Sequence, residues 1–405
     1  MEPVRVGLIG AGDISTVYLN AISRSPALDL RAIATRRPEG VEGAARRYGI
    51  APCSVDTLLA DAAVELVVNL TPGVAHEAIN GAAISTGKHV YSEKPFALSR
   101  QSAERLVREA DRHRVLIGSA PDTFYGSAHQ TARRALDGGG IGTPVFGMSF
   151  LGLPGLEHFH PNPAAFYRPG GEPPFDAGPY YIAMWLNLLG PVKRVYAAAA
   201  AGQNERTIRR GPLTGTAFPV EVPTTFNTIL EFDNASVSFV ISLDTVTPMH
   251  RAGELFGSAG QLTLADPLFF GGEPALLQPP APRSLLETHD QAFATPNRRD
   301  HGGRVVADYR GAGLTDLALA IRTGRPHRTG PDFIVHAVEV MEAMVVSAAE
   351  HRVITLISRC ERPEPIDPVR DATLVALTAS PFDLADFPVR DTADAFTGAD
   401  NPQLT

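Results

Sequence analysis

Four stretches in the first 95 residues place reactive or phosphate-seeking groups at strand ends. Gly10-Ala11-Gly12-Asp13-Ile14-Ser15 follows the apolar run Val4-Arg5-Val6-Gly7-Leu8-Ile9 and leads into a helix-like stretch through Ser25. Glycines between a strand and a helix let backbone N–H groups and the helix N-terminus approach a pyrophosphate. Gly10, Gly12, Asp13 and Ile14 are therefore expected to hold a nucleotide cofactor, the alternative being an ordinary strand–turn–helix. At the end of the next strand, where a carboxylate would accept the ribose hydroxyls of NAD, the chain has Ala34-Thr35-Arg36-Arg37. Two guanidiniums suit a 2′-phosphate, so NADP is favoured over NAD; otherwise Arg36 and Arg37 are solvated charges before Pro38. Further on, Thr71-Pro72 with His76, and Glu93-Lys94-Pro95, each close a strand-like run, at the edge where open α/β sheets bind ligands.

The elements that must carry these residues alternate. Strands are expected over 28–35, 64–70, 89–91 and 115–119, and helices over 40–48, 76–86 and 100–114, a pattern that builds a parallel sheet covered on both faces. After residue 122 the pattern changes to a helix at 127–137 and strands at 144–151, 192–199, 225–232, 236–243, 254–257 and 261–265, with Asp233-Asn234 as a hairpin turn. Residues 268–301 read as long loops, helices return at 314–323 and 332–351, and a short strand follows at 353–357. The fold class is thus α/β, a doubly wound parallel sheet (1–122), followed by an α+β domain with a large, mostly antiparallel open sheet (123–360). The remainder, 361–405, contains Leu374-Val375-Ala376-Leu377, Phe382 and Leu384, and is expected to pack as an arm on this subunit or a neighbour.

The chain has 405 residues, 44% apolar and 20% charged, enough for about two or three domains. A formal charge of −8 argues against nucleic acid or an anionic membrane as partner. Cys53 and Cys360 imply no disulfide framework, and with a strand almost at Met1 a cytoplasmic location is expected.

With the nucleotide loop, Thr71-Pro72 and His76, Glu93-Lys94-Pro95, and Asp176-Ala177-Gly178-Pro179-Tyr180 in order over about 360 residues, the chain resembles the Gfo/Idh/MocA family. The resemblance implies an N-terminal Rossmann domain and an NAD(P)-dependent dehydrogenase or reductase acting on a hydroxyl-bearing or keto carbon of a sugar, sugar derivative or cyclitol. It implies cofactor contacts from Thr35, Thr71, Pro72, His76, Glu93 and Lys94, and a catalytic set of Lys94, Asp176 and Tyr180, often with a cis Lys-Pro peptide. Many relatives have His at the place of Tyr180, which leaves the proton carrier open to Tyr180, Lys94 or both. A phenol is a poor base at its ordinary pKa, and a neighbouring ammonium favours the phenolate. On residue grounds, Asp176 can cap the helix whose first turn holds Pro179, with Tyr180 one turn on.

Polar residues before that motif, His160, Tyr167 and Arg168, are expected to line a substrate pocket, as is Asp122, which follows the last strand of the parallel sheet. His158 and His160 form His-x-His, but no cluster of further ligands accompanies them, and no metal is expected. The family also implies association into a homodimer or homotetramer through the second sheet. Competing readings are a cofactor-retaining glycosidase and a cofactor-sensing regulator.

Overall fold

The computed structural model describes residues 1–12, 14–35, 48–299 and 303–378. It separates into two units. The first comprises Met1–Tyr125, Tyr309–Glu342 and the described residues from Ser358 onward; the second comprises Gly126–Asp308 and Ala343–Ile357.

In the first unit, β1 (Val4–Ile9), β2 (Leu28–Ala34), β3 (Pro52–Cys53), β4 (Leu66–Asn69), β5 (His89–Ser92) and β6 (Ile117–Ser119) form one sheet in the order β3-β2-β1-β4-β5-β6. Every neighbouring pair is parallel. The helices between them are α1 (Ser15–Arg24), α2 (Val55–Ala60), α3 (Gly73–Ser85) and α4 (Arg100–His113). Because such a sheet is covered on both sides, its strands are apolar almost throughout. Val6, Leu8, Val68 and Tyr91 pack with Tyr18 and Ile22 of α1. The strand order reverses between β1 and β4, which opens the crevice at the carboxyl ends of the strands. Of the expected helix over 40–48, all but Tyr48 lies outside the described residues, as do Phe382 and Leu384.

The second unit opens with α5 (Ser127–Asp137) and β7 (Pro144–Gly152), then α6 (Pro173–Asp176) and α7 (Gly178–Leu189). There follow β8 (Arg194–Ala200), β9 (Glu205–Thr207), β10 (Ala217–Pro219), β11 (Thr225–Glu231), β12 (Ser236–Ser242), β13 (Met249–Gly257) and β14 (Gln261–Leu264). The stretch expected to be loops contains β15 (Ala275–Leu277), β16 (Ser284–Leu285) and β17 (Arg298–Arg299), the last pairing with β18 (Val305–Val306). Strands of two or three residues are too short to show a period. With β19 (Ile354–Thr355), nine strands form a sheet in the order β16-β15-β14-β13-β7-β12-β11-β8-β19. Its pairs are antiparallel except β7 with β12. Trp185 of α7 lies against β7, where a Cβ on Gly147 would come within 2.8 Å of the indole. Its Nε1 donates to Ser149 Oγ (3.2 Å). On the opposite face Phe146 and Phe256 stack at 4.4 Å, beside exposed Met148.

The boundary expected near 360 is corrected by two later segments. The helix α8 (Ala312–Thr323) places Leu314, Leu317 and Ala318 in the core of the first unit. Asp122, expected to meet substrate, is instead buried beneath this helix, its Oδ2 accepting from the backbone N–H groups of Gly311 (2.9 Å) and Gly313 (2.8 Å). A carboxylate spent on an N-terminus in this way is a structural cap. After α9 (Pro331–Glu350), the chain past 360 packs within the first unit as far as α10 (Ala372–Thr378), where Leu374 is buried. Arg328 holds it, donating to the carbonyls of Glu364 (2.7 Å) and Pro365 (3.2 Å) and to Asp371 (2.7 Å) while also paired with buried Asp316.

In the same unit the ring of His327 lies beside Gly118, and its Nδ1 has no hydrogen-bond partner among the described residues. Burial pulls the imidazole down to about 4. The unfolded chain takes up this proton near pH 6.5, so between about pH 6.5 and 4 the unfolded state binds more protons and stability falls with acid. Denaturant titrations at pH 7 and 4.5 should show His327→Gln losing about 2 kcal/mol less than the wild type on acidification. Equal losses would assign the acid limb to other groups.

Candidate active site

The turn after β1 is built by close backbone approach. Gly10 has φ +102°, donates its N–H to Ala34 O (2.9 Å), and leaves no room for a side chain, since a Cβ would stand 2.7 Å from the Leu70 carbonyl. The Ser15 N–H and Oγ–H both reach Gly12 O (2.9 and 2.6 Å). The first turn of α1 has Ile14 at its N-cap and no side-chain cap among the described residues. A Cβ on Gly12 would meet nothing within 4 Å. A glycine with open space in front of it, at an uncapped helix start beside the strand-order reversal, fits a dinucleotide pyrophosphate. Asp13, Arg36 and Arg37 lie outside the described residues, and Thr35 is half-buried just after β2.

Two loops beside this turn are tied from behind. The Lys94–Pro95 peptide is cis, as the resemblance implied. Glu93 accepts from the Tyr18 hydroxyl through Oε1 (2.8 Å) and from the Lys94 N–H through Oε2 (3.0 Å). His76 sets Nε2 at 2.6 Å from Thr71 O and Nδ1 at 2.7 Å from Pro95 O. Asn69 Oδ1 accepts from the N–H and hydroxyl of Thr71 (3.2 and 2.7 Å). His76 and Glu93, expected to touch cofactor, are buried, and their polar atoms hold the two loops. Pro72 is exposed, and Thr71 and Lys94 are half-buried. Burial pushes His76 below the ordinary imidazole range, outweighing the two carbonyls and Glu93, and pushes the Tyr18 phenol well up, so Tyr18 remains a donor.

The other expected catalytic pair belongs to the second unit. Asp176 ends α6 rather than capping α7, whose N-cap is Ala177 without a side-chain hydrogen bond. Pro179 occupies the first turn, as expected, and Asp176 and Tyr180 are both half-buried. Tyr167, expected in a pocket, is 0% exposed; its hydroxyl donates to Glu157 Oε2 (2.5 Å) and accepts from the Leu156 N–H (2.9 Å). It belongs to a small core with Ile208 and Phe218. Glu157 in turn pairs with Arg206 (2.7 Å), which also meets Asp244 (2.5 Å). No spacing in the chain announces that network. His160 is half-buried, with Nδ1 accepting from the Asn162 N–H (3.1 Å), and exposed Arg168 pairs with Glu221 (3.3 Å). Among the described residues no group of three or more His, Cys, Asp or Glu side chains could hold a metal ion, and no helix is long and apolar enough to cross a membrane.

A doubly wound sheet in this strand order, with its glycine turn at the reversal, defines the dinucleotide-binding Rossmann class. Residues 4–120 match the model of an oxidoreductase family with an NAD-binding Rossmann fold, and residues 129–263 match the C-terminal domain of the same family. The chain belongs to the Gfo/Idh/MocA family. It is 27% identical over 342 residues to a dTDP-3,4-didehydro-2,6-dideoxy-alpha-D-glucose 3-reductase of Streptomyces violaceoruber, covering 80% of this chain and 93% of the relative. It is 28% identical over 139 residues to an inositol 2-dehydrogenase of Rhizobium meliloti (strain 1021), covering 34% of this chain. The first three relatives, that dehydrogenase among them, are spanned over only 42–43% of their length. In fold, the chain is similar to levoglucosan dehydrogenase in complex with NADH and L-sorbose, with a TM-score of 0.74, 20% identity, and 88% of this chain and 99% of that one covered.

The two glycines of the turn should respond oppositely to alanine. Gly10→Ala is expected to lower the melting temperature by several degrees, because its Cβ collides with the Leu70 carbonyl in a backbone conformation that suits glycine. Gly12→Ala should melt like the wild type and bind dinucleotide at least about tenfold more weakly, since its methyl fills only the open side. Cofactor fluorescence titration with thermal melting checks both; undiminished binding by Gly12→Ala would remove the pyrophosphate from this turn.

Proposed function

We propose that this chain is a nicotinamide-dependent dehydrogenase or reductase acting on a hydroxyl-bearing or keto carbon of a sugar, sugar derivative or cyclitol. The observation that carries the reading is the Lys94 loop, whose backbone is held by Glu93 and His76 at the carboxyl edge of the parallel sheet while Lys94 itself is only half-buried. Bound nicotinamide would supply the acceptor or donor of hydride. Gly10, Gly12 and the start of α1 bind the pyrophosphate, and Thr71 and Pro72 border the same crevice. Lys94 orients the reacting hydroxyl. Tyr180 takes the hydroxyl proton at its phenolic oxygen in oxidation and returns it in reduction, and Asp176 orients neighbouring hydroxyls. His160 and Arg168 contribute to substrate recognition. NADP is the preferred cofactor, on account of Arg36 and Arg37. The names of the relatives, a sugar reductase and an inositol dehydrogenase, support the substrate class.

The open face of the second sheet supports assembly with a second copy of the chain. Phe146, Met148, Tyr196 and Ile229 are each more than a third exposed on strands β7, β8 and β11, and a run of large apolar side chains across a sheet centre is a docking surface rather than a solvated one. Sedimentation equilibrium of the purified chain is expected to show a dimer or tetramer; a monomer at micromolar concentration would overturn this.

Turnover is tested with an absorbance screen of sugars and cyclitols at the nicotinamide wavelength. Lys94→Met should bind cofactor normally and lose at least about a hundredfold in turnover, and Tyr180→Phe should slow the chemical step and shift the pH–rate profile. Titrations of the wild type should find NADP bound more tightly than NAD. Near-normal turnover by Lys94→Met sinks the catalytic assignment, and tighter NAD binding sinks the cofactor preference.

A further inference from the structure

The helix that carries Tyr180 has a tether that the reading above does not use. Tyr181 is fully buried, stacks on Phe239 of β12 (4.9 Å between ring centres), and its hydroxyl hydrogen-bonds with His250 Nε2 of β13 at 2.5 Å. His250 Nδ1 lies 3.5 Å from Asp266 Oδ2, while Asp266 Oδ1 accepts from the Leu268 N–H (2.9 Å). Burial and the charge of Asp266 hold the Tyr181 phenol far above its ordinary range, so this hydroxyl keeps its proton.

His250 faces the helix only because of an irregularity in its strand. Along the β13–β7 pair, Leu255 sits opposite Gly147 and Glu254 opposite Met148, but the register then shifts so that Arg251 meets Phe150 and His250 meets Leu151. Leu255 and Gly253 belong to the face under Trp185, where a Cβ on Gly253 would come within 3.3 Å of the indole. Unbroken alternation would put Arg251 on that face next; one extra residue turns His250 inward instead. The bulge is pinned by Ser149, whose hydroxyl donates to Ala252 O (2.7 Å) and accepts from Trp185 Nε1.

We propose that His250, braced by Asp266, is a positioning residue for Tyr180, acting through the hydroxyl of Tyr181 to hold the first turn of α7. The proposal rests on the reading of Tyr180 as the proton carrier. Tyr181 and Trp185 are four residues apart and anchor one face of the helix to the sheet at two points. The N-cap, Ala177, makes no side-chain cap bond, and the Tyr181 hydroxyl is a side-chain bond from this turn to the sheet. Tyr180 is the adjacent residue, and a shift of about 1 Å in a reacting group costs on the order of a hundredfold in rate.

The experiment has one arm that needs no substrate. Nitration of Tyr180 by tetranitromethane, followed by peptide mass spectrometry on the full chain, should accelerate several-fold in His250→Ala and in Tyr181→Phe, which keeps the stack on Phe239. It should return toward the wild-type rate in His250→Gln, whose amide oxygen can accept from Tyr181. Unchanged nitration in both disrupted variants overturns the inference. In the second arm, using whichever of glucose, levoglucosan and myo-inositol the wild type turns over, His250→Ala should lower kcat about tenfold without changing the KM for cofactor. The loss should vanish when His250→Ala is combined with Tyr180→Phe. Equal losses in both backgrounds overturn a role through Tyr180. A harmless Tyr180→Phe overturns the proton-carrier reading itself, whereas a damaging Tyr180→Phe beside a harmless His250→Ala overturns only the positioning role.

Discussion

The first unit is organised around a buried carboxylate. Glu93 is 8% exposed, and an anion in that setting is tolerated only if its oxygens are satisfied. Its donors are the Tyr18 hydroxyl, from the helix that follows the glycine turn, and the N–H of Lys94. One side chain thereby couples the nucleotide turn to the lysine loop. His76 makes the complementary connection, bridging the loops after β4 and β5 through their carbonyls, and Gly10 lies against the backbone of Leu70. Three strand ends become one rigid rim, the condition for holding reactive groups to within about half an ångström.

The second unit reaches rigidity by a different route. Its helix α7 lies on a sheet hollowed at Gly147, and the indole of Trp185 fills the space and engages Ser149. The polar groups that meet helix and sheet here, Ser149, His250 and Tyr181, are grouped at a bulge rather than at a loop. A bulge can present a side chain that regular alternation would send to the other face, and it keeps the stiffness of paired strands.

The parallel sheet was legible in the chain because strands buried on both faces are continuous apolar runs and glycine turns have little alternative use. The strands at 225–232 and 236–243, with Asp233-Asn234 between them, match β11 and β12 to within a residue, since alternation with one buried face sets both period and register. The types and order of Lys94, Asp176 and Tyr180 were legible as a motif set. What could not be read was which polar residues are used up inside the protein. Asp122 caps a helix 189 residues away, and Tyr167 bonds a glutamate that pairs with Arg206, contacts fixed by the fold and not by local spacing. His250 was invisible for a further reason: a bulge reverses the face that alternation assigns.

The sheet of the first unit is completed by residues that lie far along the chain, with Leu314, Leu317 and Ala318 joining its core and Arg328 fastening residues 364–371. During synthesis the first 125 residues therefore emerge with part of their apolar surface uncovered, and it stays so while the whole intervening unit is translated. At about 5–20 residues per second that interval lasts on the order of ten seconds or more, long enough for transiently exposed apolar surface to engage chaperones or other nascent chains. Vectorial synthesis thus makes the unit with the nucleotide turn wait for residues beyond 308, although its first strand is made before any of the second unit.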